Sequence, residues 1–272
     1  KVTGLTKIFL SNLFSVSRKS LYLKSDKQLL KDEFTKEKIL ACLDTNPAYG
    51  HRRLSMALKF NKKRVKRVMN LNGIKPYKRR RMYRKVEDYG KPESKYQNLI
   101  KNICPIAPNV IFAGDFTFLK YNGKFIYLAT FLDIFTREIV GWSISATHTK
   151  ILTINALLDA IKSHGKPEFI HTDQGSEYNS LEFTTFAEKF GIKVSMSKKG
   201  SPWENGFQES YYGKFKLDLG LEFERFQTLG EFIEAIHKTI NYYNTTRIHK
   251  NLKMSVSEYK QNYIQKLLLQ KD

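Results

Sequence analysis

Cysteine is scarce: the 272 residues include two, Cys42 and Cys104. Two thiols build no disulfide framework and have no metal-site spacing, which excludes a disulfide-stapled scaffold and points to a reducing compartment. Long apolar runs are also missing. None approaches the ~18–20 residues that span a bilayer, and the opening stretch KVTGLTKIFLSNLFSVSRKS is too mixed for a secretory signal core. No membrane partner is therefore expected, and the chain reads as cytoplasmic. There are no internal repeats and no low-complexity tracts. The first residue is Lys1 rather than Met, the mark of a fragment, a trimmed chain or the tail of a longer product. Acidic residues are few in the front part. From Lys1 to Pro105 there are 27 Lys and Arg against 8 Asp and Glu, whereas the remainder has 20 against 18. The net charge of +21 and the pI near 9.8 call for a polyanionic partner, nucleic acid first and a membrane surface second. A basic front joined to a nearly balanced back suggests a binding part followed by a part with another task.

What is present divides the same way. EFTKEKILACLDTNP has helical periodicity, with Ile39, Leu40 and Leu43 on one face and Pro47 as a stop. HRRLSMALKF offers Leu54, Ala57 and Leu58. Asn61 caps a third helix, KKRVKRVMNLNG, with Val65, Val68 and Met69 inside and Gly73 as its end. Lys62, Lys63, Arg64, Lys66 and Arg67 form its outer face. Three short helices ending in a basic one suit a helix-turn-helix unit that contacts DNA, and equally a small bundle with a solvated basic face. The stretch from Lys78 to Lys85 then has six cations in eight residues, including Arg79, Arg80 and Arg81. It reads as an arm that tracks phosphates.

From Asn109 the texture becomes β-rich. VIFAGDFTFLKYNGKFIYLATFLDIFTREIVGWSIS contains three strands, with an Asn-Gly hairpin turn at 122–123 and a second turn at DIFTRE. KILTINALLDAIKSHG is an amphipathic helix with Ile151, Ile154, Leu157, Leu158 and Ile161 on its buried side. Short strands at EFIHTD and IKVSMS alternate with helices, and a long helix starts near Thr228. The order βββ-α-β-α-β-α describes a mixed sheet flanked by helices.

Three acids stand out. Asp115 lies inside the first strand, followed by Phe116 and Thr117, where a charge needs pairing or a metal. Asp173 follows a later strand at a Gly turn, a common place for ligand groups in α/β folds. Glu209 lies on a helix, with 35 residues between it and Asp173. Two strand acids and one helix acid can converge as hard oxygen ligands for Mg²⁺ or Mn²⁺. Two such ions, ~3.5–4 Å apart, serve an in-line phosphoryl displacement with no protein nucleophile.

Asp115, Asp173 and Glu209 in this spacing resemble the acid triad of the retroviral-integrase-like DDE transposases. The chain is closest to the catalytic second-frame product of the insertion-sequence-three family. PAYGHRRLSMAL with RVKRVMNLNGIKP, then LDIFTREIVGW, HTDQGSEYNS, GSPWENGFQESYYGKFK and YYNTTRIHKNL all occur in that family's order and cover most of the chain. The resemblance implies a ribonuclease-H-like core, a mixed five-stranded sheet flanked by helices, preceded by an all-α helix-turn-helix domain. The implied organisation is an N-terminal helical segment at 1–30, a helix-turn-helix-like domain at 31–76, a basic linker at 77–106, the catalytic core at 107–226 and a C-terminal helical extension at 227–272. It implies metal-dependent nicking at element ends, strand transfer, and insertion elsewhere. Asp115 and Asp173 would share one metal ion, and Asp115 and Glu209 the second. Lys216, seven after Glu209 on one helix face, would hold the DNA strand. Double-stranded DNA, as element end and as target, is the implied partner. A homo-oligomer on DNA, an upstream-frame helix-turn-helix protein and a bacterial, nucleoid-associated location follow with it. The chain departs from the family at Phe112, Ala113 and Gly114, where Trp and Thr are frequent, and at Val256, where Pro is usual.

Other residues have plainer readings. Asp133 ends a strand as turn chemistry. Glu177 is a surface or DNA-proximal side chain, Glu204 breaks the spacing, and His171 is structural. Arg247 and His249 pin the last helix. Lys198 and Lys199 precede a Gly-bearing loop and are DNA-contact candidates. A plain nuclease with the same site and an inert DNA-binding regulator are the alternatives.

Overall fold

Asn61 accepts a hydrogen bond from the Lys63 amide at 2.8 Å, and the helix it opens ends before Gly73, whose φ is +62°. The local signals of the front region therefore act as written. In the computed structural model, which describes residues 4, 6–15, 17, 26–77, 96–198, 200–220 and 223–270, the chain divides into two units, Lys1–Pro76 and Tyr77–Asp272. The first contains α1 (Lys7–Leu13), α2 (Asp26–Thr45), α3 (His51–Ala57) and α4 (Lys62–Leu71). Ile39, Tyr49, Leu54, Val65, Val68 and Met69 are its core. Leu40 is exposed, contrary to the expected face, because α2 turns Asp32 and Thr35 inward instead. Those two polar side chains receive α4. Arg67 makes a two-pronged pair with Asp32, one arm at 2.8 Å, and Arg64 Nε donates to Thr35 Oγ1 at 2.8 Å. The outer basic face of α4 is thus Lys62, Lys63 and Lys66, while Arg64 and Arg67 are half-buried structural cations.

The second unit contains β1 (Ile111–Tyr121), β2 (Lys124–Asp133) and β3 (Ile139–Ser145), then α5 (Lys150–His164), β4 (Phe169–Thr172), α6 (Leu181–Lys189) and β5 (Lys193–Met196). It closes with α7 (Gly206–Leu219), α8 (Leu229–Thr245) and α9 (Val256–Leu269). The sheet order is β3-β2-β1-β4-β5, with β1, β2 and β3 antiparallel and β4 and β5 joined parallel to β1. Asn122 and Gly123 both have positive φ, as a two-residue hairpin turn of this hand requires. One face of the sheet, with Phe112, Ala129 and Phe131, packs on α5 and α6. The other, with Leu119, Leu128 and Leu132, packs on α7 and α8.

α5 is rotated from its expected face. Its buried residues are Leu152, Thr153, Ala156, Leu157 and Ala160, and Ile151 is 60 % exposed. The cause is Gly141. A Cβ there would lie 2.4 Å from both Ala156 O and Ala160 N, so the helix sits directly on the backbone of β3 with its alanines inward. Among the described residues no helix is long and apolar enough to cross a membrane.

Candidate active site

β4 pairs with β1 only from Ile111 to Ala113, the last pair being Ala113 with His171. Continuing that register by two residues sets Asp115 beside Asp173, one residue past the end of β4. The two acids of the sheet are therefore neighbours by topology. Gly114 makes this possible: a Cβ there would meet the Phe131 ring at 2.5 Å and Thr172 Cγ2 at 3.0 Å. Asp115 Oδ1 accepts from the Phe116 amide at 2.8 Å, and Asp173 Oδ1 from the Gly175 amide at 3.0 Å.

The third acid arrives on α7. A polar stripe on this helix docks on the sheet, each member donating to a carbonyl of β1. Asn205, just before the helix, reaches Gly114 O at 3.1 Å. Gln208 reaches Ala113 O at 2.5 Å, Tyr212 reaches Asp115 O at 2.7 Å and Lys216 reaches Phe118 O at 3.1 Å. Glu209 follows Gln208 and stays exposed at the first turn. The stripe was legible only as a solvated face. Its signal was the choice of Gln and Tyr, side chains that suit burial better than Lys or Glu.

The electrostatics tie the three acids together. The Asp115 carboxyl is pushed up to about 8, first by burial and then by the charge of Asp173. Glu209 adds to the rise, while the Phe116 amide and Lys216 oppose it. Asp173 is also raised, first by burial, with the Gly175 amide opposing and Glu177 adding. Glu177 is buried, contrary to the surface position expected for it. It accepts from Ser176 Oγ at 2.7 Å and lies 3.3 Å from His148 Nδ1. Tyr178 is buried with no hydrogen bond to its hydroxyl, which burial and then Asp115 keep protonated.

Among the described residues no three His, Cys, Asp or Glu groups gather at metal-holding distance. The donor set nonetheless fits a divalent ion: hard carboxylate oxygens, mutual repulsion, and an orphaned hydroxyl beside them.

The other expected residues have definite places. Asp133 is buried and accepts from the Asn109 and Thr136 amides at 2.6 and 2.7 Å, as turn chemistry. His171 is held well down, to about 4, by burial and bonds Ser195 Oγ through Nδ1 at 2.9 Å. Glu204 Oε2 accepts from the Lys198 amide at 2.7 Å and Asn98 Nδ2 at 2.9 Å, fastening the loop that leads to α7. Arg247 is buried and pairs with Asp218 of α7, and His249 bridges to Met254. Lys198 is exposed at the start of the loop. Arg79, Arg80, Arg81 and Lys199 lie outside the described residues.

Comparison with known proteins agrees with this fold. Two family models, each described as an integrase core domain, match residues 105–202 and 190–255. A transposase for insertion sequence element IS904 from Lactococcus lactis subsp. lactis is 35 % identical over 246 residues, which is 85 % of this chain and 95 % of the relative. Transposase InsF of insertion sequence IS3A from Escherichia coli is 30 % identical over 182 residues, 62 % of each chain. Among solved structures, a simian T-cell lymphotropic virus intasome in complex with the PP2A regulatory subunit B56 gamma shares the fold. Its TM-score is 0.52 and its identity 19 %, covering 80 % of this chain and 73 % of that one.

Proposed function

The chain belongs to the insertion-sequence transposases of the DDE integrase superfamily, and on that premise we propose that Asp115, Asp173 and Glu209 are its catalytic carboxylates. The carrying observation is that Asp115 is raised to about 8 by burial and by the other two acids together. Transposases and integrases act on DNA as polynucleotidyl transferases, and the integrase-core family depends on a divalent metal.

Asp115, shared between two positions, Asp173 and Glu209 would hold Mg²⁺ or Mn²⁺, two ions in all. Bound there, the ions supply positive charge to the attacking and leaving oxygens of an in-line displacement at phosphorus. The chain's own residues arrange the rest. The β1–β4 register aligns the two aspartates. The stripe from Asn205 to Lys216 fixes the height of α7, leaving Glu209 at the helix start and free to turn toward Asp115. Lys216, two turns below, lies where the phosphate backbone of the reacting strand would pass. Lys198 and Lys199 contact DNA at the start of the loop that Glu204 fastens. Lys62, Lys63 and Lys66, with the arm at Arg79, Arg80 and Arg81, neutralise phosphates of the element end. Two ends must meet for joining, so the working form is a homo-oligomer on DNA, with an upstream-frame helix-turn-helix protein fused or added in trans.

A strand-transfer assay tests the reading, using labelled duplexes with candidate element ends, Mg²⁺ or Mn²⁺, and Glu209→Gln in parallel. Joined products that disappear in the variant are expected. Nicks without joining would favour a nuclease. Binding without cleavage in either protein would make the chain a DNA-binding regulator.

A further inference from the structure

Among the described residues, the face of the sheet that packs on α5 and α6 is covered at one end only. α5 starts at Lys150 and lies on the Phe112, Ala129 and Phe131 end. Toward the hairpin, alternate residues of β1 and β2 continue the same face as a row of rings. Phe116 lies 4.5 Å from the His148 ring, His148 5.1 Å from Tyr127, Tyr127 6.5 Å from Phe125, and Phe125 5.3 Å from Phe118. Phe118 and Phe125 are 49 % and 48 % exposed. A cross-strand aromatic contact explains the buried half of each ring. It does not explain why the other half faces water.

The charges at the outer, hairpin end of the row are positive, while at its inner end Glu177 stands 3.3 Å from His148 Nδ1. Lys216 Nζ stands 5.3 Å from the centre of the Phe118 ring, and Lys120 and Lys124 are exposed at the hairpin end. The inner end of the row runs into the acid cluster. Phe116 follows Asp115 in the chain and donates its amide to that carboxylate. Rings in series, half-buried at Phe116 and Tyr127 and exposed at Phe118 and Phe125, flanked by cations at the outer end and starting beside the proposed phosphoryl-transfer site, are the components of a single-strand track: bases stack on the rings while the backbone follows the lysines.

We propose that the strip from Phe116 through Tyr127 to Phe118 and Phe125 binds the unpaired bases of the element-end strand next to the scissile phosphate. This rests on the proposed active site, since the strand at the acids is the one whose neighbouring bases reach the strip. A duplex would keep its bases stacked on one another and leave the rings unused. The enzyme should therefore favour an end that is already frayed.

The test is equilibrium binding of the full chain, without divalent metal, to two fluorescent DNAs. One is a blunt duplex of about 30 base pairs with an element terminus, and the other is the same duplex with about six unpaired thymines beyond the end. The forked DNA should bind at least tenfold tighter to the parent chain. In Phe118→Ala/Phe125→Ala that preference should vanish, with blunt-duplex affinity unchanged within about twofold and the salt slope unaltered, since no phosphate contact is lost. In Phe118→Trp the preference should persist, and the new indole should be quenched by the fork but not by the blunt duplex. Retention of the preference by the alanine pair, or an indole blind to the fork, overturns the proposal. A fork preference seen only on a duplex of unrelated sequence overturns the element-end assignment in favour of target DNA. Strand transfer by the parent chain is scored separately. Joining with no fork preference sinks the strip and leaves the active-site reading standing, whereas fork preference without joining does the reverse.

Discussion

Asp115 is held up to about 8 by burial first and by Asp173 and Glu209 after it, so the charged side chain is a burden on the metal-free fold. The sign follows from linkage. The unfolded carboxyl titrates near 3.8, so between that value and about 8 the folded state binds more protons than the unfolded one. Stability from this residue is complete below about 4, falls as pH rises, and has been lost above about 8. Asp115→Asn has no such charge to bear. At pH 9 without metal, the variant should melt roughly 3–6 °C above the parent chain, the effect of ~1–2 kcal/mol in a protein of this size. Near pH 4 the two should melt together. Added Mg²⁺ should raise the melting temperature of the parent chain and not of the variant, and strand transfer by the variant should be absent. Melting curves at the two pH values settle the matter; a variant less stable at pH 9 would mean that Asp115 is stabilised by contacts other than a metal.

At the scale of elements, α7 and α5 make opposite use of the sheet. α7 is placed by hydrogen bonds, and Gln208 serves two strands at once, donating to Ala113 O of β1 and to Thr130 O of β2. Gln208→Leu leaves both buried carbonyls short of a donor, at ~1–3 kcal/mol. The helix that carries Glu209 is then free to shift. Strand transfer should fall at least tenfold, and more than in Phe215→Leu, a core variant of α7 chosen to match the loss in melting temperature. Equal activity in the matched pair would reduce Gln208 to a packing residue. α5 is placed by close approach instead. Gly141→Ala inserts a methyl group 2.4 Å from backbone atoms of α5, and overpacking of this kind costs ~1–3 kcal/mol, roughly 3–9 °C in melting temperature. β3 is two strands from Asp115, so activity below the transition should persist, as a temperature series of strand transfer would show. Neither placement could be read from periodicity. A stripe of Asn, Gln, Tyr and Lys has the spacing of a solvated face, and the run Ile151, Ile154, Leu158, Ile161 outweighs two alanines on any hydrophobic scale. What was legible was what depends on local chemistry: the Asn122–Gly123 turn, the Asn61 cap, the strand order of the first three strands. The proposed acid triad rests on spacing that the sequence displays, while the burial of Glu177 was not legible, because its partners His148 and Ser176 are found only in the folded chain.

For the whole molecule the decisive quantity is charge. The net of +21 lies almost entirely before Ile106, while the part that bears the acids is close to neutral. A neutral catalytic unit would gain little from the DNA polyelectrolyte by itself. On the proposed reading, affinity comes from the basic front, and catalysis from acids that repel phosphate until metal is present. The front cations are of two kinds, although all five on α4 look alike in sequence. Arg64 and Arg67 are spent on Thr35 and Asp32 of α2, whereas Lys62, Lys63 and Lys66 are exposed. Each lysine that meets a phosphate releases counterion on binding and adds ~0.9 to the slope of log K against log salt. Replacing the three lysines by alanine should flatten that slope by ~2–3 and weaken binding to specific and unrelated duplexes alike, with no change in melting temperature. Replacing Arg67 should do the reverse. Asp32 would keep the Gln28 amide at 2.7 Å but lose the Arg67 guanidinium, the front unit would lose ~1–3 kcal/mol, and the salt slope of the protein that remains folded would be unaltered. Titrations at several salt concentrations, with circular dichroism of each variant, separate the two. A salt slope that drops for Arg67 as much as for the lysines would place its guanidinium on DNA and break the division between cations that bind and cations that build.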